Sequence, residues 1–120
     1  MSVSIIGGSV SPSTALTLNA QTGTTYTFVL TDANNTLVTA SNASAQTYTI
    51  PPNSSVAYPI GSQLNIIQIG AGQVSFAQGS GVTIASNGAT STAPKLRVQY
   101  SSASAVKVNT DSWYVIGDIA

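Results

Sequence analysis

The sequence predicts an all-β fold: a single-domain antiparallel β-sandwich, jelly-roll-like, or a β-barrel, with about nine or ten short strands. Three observations carry this prediction. Apolar and polar residues alternate with period two through most of the chain. Clusters of Gly, Pro, Asn and Asp interrupt the alternation at short, regular intervals. No window carries a helical apolar stripe, and β-branched residues dominate over helix formers.

The elements follow in order. Residues 1–20 are read as an N-terminal arm or as first strands, with Val3, Ile5 and Ile6 before Gly7-Gly8 and then Ala15-Leu16-Thr17-Leu18. Residues 21–120 form the β-sandwich domain. Thr25 to Thr31 puts Tyr26, Phe28 and Leu30 on one face, and Asp32-Ala33-Asn34-Asn35 turns it into Thr36–Ala40 as a hairpin. Gln46–Ile50 points Tyr48 and Ile50 inward and stops at Pro51-Pro52. Gln63–Ile69 ends at Gly70-Ala71-Gly72, and Gln73–Ala77 buries Val74 and Phe76. Gly79-Ser80-Gly81 leads into Val82–Ala85, and a polar loop runs from Ser86 to Ala93. Lys95–Tyr100 directs Leu96, Val98 and Tyr100 to the core, and Ser101–Ser104 is a turn. Ala105–Asn109 and Ser112–Ile116 close the chain as a hairpin around Thr110-Asp111. The expected core is therefore aromatic as well as aliphatic, with Trp113 in it.

Composition narrows the function. Of 120 residues, three are Lys or Arg and three are Asp or Glu, so charged residues are 5% where about 25% is usual. His and Cys are absent, and Ser and Thr exceed a quarter of the chain. The serines thus have no base to activate them. Asp32 and Asp111 fall in turns and Asp118 near the C-terminus, a poor arrangement for paired-carboxylate catalysis or for a metal site. The reading is a protein that is not an enzyme and has no cofactor. Gly70-Ala71-Gly72 lacks the third glycine and following helix of a dinucleotide fingerprint and is read as a turn. The acceptor-like triplets at Asn34, Asn42 and Asn53 are chance matches in a Ser/Thr-rich chain. The N-terminus has no signal-peptide pattern, and no stretch is long enough to span a bilayer, so no membrane partner is expected.

Partner contact is expected of five residues. Lys95, Arg97 and Lys107 are the only cations, too few for nucleic acid but able to form a rim contact with an acidic partner. Tyr58 and Tyr114 fall outside the inward pattern and are candidates for an exposed aromatic contact, with a protein in preference to carbohydrate. A near-chargeless surface favours association.

The run Pro59-Ile60-Gly61-Ser62-Gln63, then Gly70-Ala71-Gly72-Gln73-Val74-Ser75-Phe76, and later Trp113-Tyr114-Val115-Ile116-Gly117-Asp118, resembles a small β module of tailed-bacteriophage virion proteins. The resemblance extends over roughly residues 22–120 and implies a structural component of the virion. Because the module is almost the whole chain, the expected role is capsid decoration: a cement protein, a homotrimer by analogy. It would clamp the phage major capsid protein on the capsid surface after assembly in the host cytoplasm. The alternative is a receptor-binding tail-fibre module that recognises host cell-surface glycan.

Overall fold

The computed structural model describes residues 15–120. Val3–Ile6 and most of the proposed arm lie outside that range. The described chain is mostly β, in two sheets. In order it forms β1 (Thr17–Gln21), β2 (Thr25–Thr27), β3 (Thr36–Ala40), β4 (Gln46–Ile50), β5 (Gln63–Gln68), β6 (Val74–Gln78), β7 (Thr83–Ala85), β8 (Ser102–Asn109) and β9 (Ser112–Gly117). One sheet has the order β1-β3-β5-β8-β9-β7 and the other β2-β4-β6. The first strand thus crosses the boundary drawn at residue 20 and is an edge of the larger sheet.

The antiparallel expectation is corrected. Among the described strands only β5–β8 and β8–β9 pair antiparallel, the latter being the expected final hairpin. The pairs β1–β3, β3–β5, β2–β4, β4–β6 and β7–β9 are parallel. Successive strands from β1 to β7 alternate between the sheets. The short polar turns therefore arch across the core instead of folding back into the same sheet. Each turn of this coil lays one strand on each sheet, in register with the strand before it.

The coils stack side chain on side chain. Tyr26, Tyr48 and Phe76 occupy one register position of the smaller sheet. Tyr26 and Tyr48 ring centroids are 5.5 Å apart, and Phe28 lies 5.8 Å from each of them. Val38, Ala40, Leu64, Ile66, Ala105, Trp113 and Val115 face them from the larger sheet, all in one buried cluster. Each large side chain removed from water here contributes about 1.5–3 kcal/mol. The arches stack too. Gly72 N–H donates to Asn42 O at 2.8 Å, and Asn42 Nδ2 to Thr22 O at 2.8 Å. A Cβ on Gly72 would lie 1.8 Å from Ser44 O, so the turn read from Gly70-Ala71-Gly72 is glycine-rich because the preceding coil touches it.

Two expected strands are cut short. The first ends at Thr27 because the Asp32 carboxylate accepts the Val29 N–H at 2.9 Å and draws Leu30–Ala33 into a 3-10 turn, which leaves Leu30 exposed. Lys95–Tyr100 makes only isolated bridges, Ser75 with Lys95 and Leu96 with Ile119. Ser101 Oγ accepts the Val98 N–H and Tyr100 takes a left-handed φ of 71°, so Val98 and Tyr100 face solvent while Leu96 is buried. The strand begins instead at Ser102, within the segment read as a turn.

Candidate interaction surface

The structure separates the five expected contact residues. Tyr58 is only 3% exposed. Its ring meets Trp113 edge-on at 5.3 Å, and its hydroxyl donates to Val29 O at 2.9 Å. Burial pushes this hydroxyl well above the usual tyrosine range. Tyr58 sits in the loop between β4 and β5, where no alternation fixes the direction of a side chain, and the loop folds over the end of the core. Lys107 is 2% exposed. On β8 it follows Ala103 and Ala105 on the inward face. Its Nζ donates to Asn53 Oδ1 at 2.7 Å and to Tyr58 O at 2.8 Å. Asn53 N–H in turn donates to Asp111 Oδ1 at 2.6 Å. Lys107 therefore ties the β4–β5 loop to the final hairpin, and neither it nor Tyr58 is a rim contact.

Arg97 is exposed, but its charge is matched. Nε donates to Asp118 Oδ1 at 2.8 Å and Nη2 to Oδ2 at 3.0 Å. The Arg97 bonds, then one from Ser101 Oγ at 2.6 Å, hold the Asp118 carboxyl below its ordinary range. Lys95 is exposed beside this pair in sequence, on the segment that bridges to Ser75. Tyr114 is 55% exposed on the outer face of the larger sheet, as expected of a contact residue.

That outer face is the candidate surface. Ile116, 60% exposed, follows Tyr114 along β9. Val106 is paired with Tyr114 and Ser104 with Ile116. Next to them Gln63 Nε2 and Ser104 Oγ both donate to Asn65 Oδ1, at 2.8 and 2.7 Å. At the far edge Leu18 stands beside Leu37. The face thus combines apolar side chains with an amide and hydroxyl lattice, and none of these residues is charged. Where β7 ends beside β9, residues Ala85–Asn87 and Tyr114–Gly117 line a shallow groove of about 440 Å³.

A second polar constellation escaped the sequence reading. Asp32 is 2% exposed, and its carboxylate accepts Asn19 Nδ2 at 2.8 Å and Tyr26 OH at 2.7 Å as well as the Val29 N–H. Asn19 Nδ2 also donates to Tyr26 OH, and Gln21 Nε2 to Asn19 Oδ1. Burial first, then the bond to Asp32, pushes the Tyr26 hydroxyl up to about 12. The signal for this cluster was the pair Asn19 and Gln21, polar residues at the inward positions of β1 that match Val38 and Ala40 on β3. Asn19, Tyr26 and Asp32 thus satisfy one another at the end of the core, on the wall of a cavity of about 570 Å³.

Among the described residues, no three His, Cys, Asp or Glu side chains come together, and no helix is long and apolar enough to cross a membrane. No protein-family model matches the chain, and no curated protein matches it significantly.

Proposed function

We propose that this protein is a structural component of a tailed-phage virion, a decoration protein that binds the major capsid protein shell and its own copies. The observation that carries this reading is the outer face of the larger sheet, where Tyr114, Ile116, Val106 and Leu18 are set among amides and hydroxyls without a charge. Such a face docks against protein at low desolvation cost, because no ion loses its water. The two sheets closing on one core make the domain a sandwich in this reading, rigid enough to brace neighbouring subunits. Binding to the assembled shell then stabilises it by mass action.

The test is the copy number in purified virions, with binding to isolated capsids. Hundreds of copies in the capsid fraction, and loss of capsid binding in Tyr114→Asp/Ile116→Asp, are the expected results. A few copies confined to the tail fraction would overturn the reading in favour of the glycan-binding fibre module.

A further inference from the structure

The two ends of the coil are finished differently. At the far end the edges are closed by the chain itself. Phe76 N–H donates to Pro94 O and Leu96 N–H to Val74 O, both at 2.9 Å, so the Pro94–Leu96 segment covers the edge of β6. The other sheet ends in β7, only three residues long, and its outward Ile84 N–H is taken by Gln78 Oε1 at 2.8 Å. Short edges and side-chain caps are how sheets avoid pairing with other chains.

Among the described residues, the first coil has no such device. Thr17 N–H donates to Asn35 O and Ser41 N–H to Gln21 O, which turns Thr17, Asn19 and Gln21 toward β3. In a parallel ladder the intervening residues, Leu18 and Ala20, then direct their N–H and C=O groups away from the sheet. Both are exposed, Leu18 at 66%. The strand Thr17-Leu18-Asn19-Ala20-Gln21 carries no charge and no proline. Asp32, which accepts from Asn19 of this strand, lies behind Asn19 and Tyr26 with its oxygens taken.

We propose that this open edge is a self-association surface, on which β1 pairs antiparallel with β1 of a second copy of the chain. A twofold axis through Asn19 sets Leu18 opposite Ala20 of the partner subunit. Four N–H···O bonds then form, and the larger sheets become continuous across the dimer. A neutral strand suits this partner above others, since a strand paired with its own copy brings every charge it carries close to a like charge across the axis, and this one carries none. The closed far end decides the symmetry. Head-to-tail stacking is blocked, so the contact is isologous and stops at two copies, not the three expected from the resemblance. The pairing gives the self-association of the proposed function a location and rests on that reading for its use in the virion.

The test is light scattering with size-exclusion chromatography on the full chain over a range of concentrations. The wild type is expected to be a dimer. Leu18→Lys and Ala20→Pro both leave the ladder to β3 intact and weaken dimerisation at least about tenfold: Ala20→Pro removes two of the four hydrogen bonds, and Leu18→Lys brings two cations together near the axis. Thr83→Lys, at the closed end, leaves it unchanged. A wild type that stays monomeric at every concentration would overturn the proposal and point to the chain's own first residues or another protein on this edge. So would a dimer or trimer unaffected by both β1 variants. A monomer that still decorates capsids defeats this proposal alone. A β1-paired dimer absent from virions defeats only the proposed function.

Discussion

Replacing Gly72 by Ala tests whether the turns are stacked arches. Gly72 does not have a positive φ, so its backbone conformation is open to alanine. In a free hairpin turn the change would be neutral or would stabilise by about 0.4–1 kcal/mol through the unfolded chain. In the stacked coil the new methyl stands 1.8 Å from Ser44 O and 2.7 Å from Asn42 O, where real Cβ atoms essentially never come within 3.0 Å of a neighbour. The Asn42–Ser44 arch must retreat by more than an ångström. Overpacking of that kind costs about 1–3 kcal/mol. The retreat also strains the Gly72 N–H to Asn42 O bond and the bond from buried Gln46 Nε2 to Gly72 O, adding about 1–3 kcal/mol. The total of about 2–6 kcal/mol is a large part of the stability of a domain this size. Equilibrium urea unfolding measures it, with Gly81→Ala as control. Gly81 has a φ of 78° and open space around it, so alanine there costs only the backbone strain of about 1 kcal/mol. A Gly72→Ala midpoint equal to or above wild type would refute the stacked-arch reasoning.

Four further outcomes follow from the same geometry. Lys107→Met leaves Tyr58 O and Asn53 Oδ1 without their donor and lowers stability by about 2–4 kcal/mol in the same unfolding assay. Tyr48→Phe keeps stability or raises it by up to about 1 kcal/mol, because the buried Tyr48 hydroxyl has no protein partner among the described residues. Burial raises the Tyr26 and Tyr48 hydroxyls to about 12 from 10.0. The unfolded chain therefore loses these protons first. Their contribution is complete below about pH 10 and lost as pH rises to about 12, visible as a falling urea midpoint over that window. Association through the uncharged faces is insensitive to salt, so sedimentation at low and high ionic strength gives the same dissociation constant, whereas an acidic partner held by Lys95 would be released.

The fold was legible in part, for a physical reason. Alternation fixes which side chains of a strand face inward, and Phe28, Tyr48, Ile50, Val74, Phe76 and Trp113 are all buried as read. It does not fix which strand lies alongside. A hairpin and an arch both join two alternating segments by a short polar turn. What distinguishes them is resemblance between strands that are not neighbours in sequence. Thr25-Tyr26-Thr27 returns as Thr47-Tyr48-Thr49, and Thr17-Leu18 as Thr36-Leu37, and these are pairs the parallel ladders place in register. The repeat was in the sequence, and it carries the coil that hairpin logic missed. Tyr100 failed differently. A local left-handed residue and the Ser101 hydroxyl ended the alternation one strand early.

The charges explain why the exposure of the five expected contact residues was legible only in part. Reading Lys107 as a surface residue treats a cation as solvated by default, which holds where water is the best available partner. Here the inward row Ala103-x-Ala105-x-Lys107 leaves room beyond two small side chains, and the β4–β5 loop offers a carbonyl and an amide oxygen to fill it. Asp32 is drawn inward the same way by Asn19, Tyr26 and the Val29 N–H. Two of the six charged side chains thus serve the interior, and two more, Arg97 and Asp118, neutralise each other. The surface is poorer in charge than the composition alone implies. A monomer gains solubility from net charge and loses it here. A subunit that spends its working life against other protein surfaces loses nothing by this, and gains faces that dock without stripping ions of water. In the proposed role that asymmetry ties the missing charge to assembly, and variants of the exposed Tyr114, Ile116 and Leu18 are then expected to bear on function before stability.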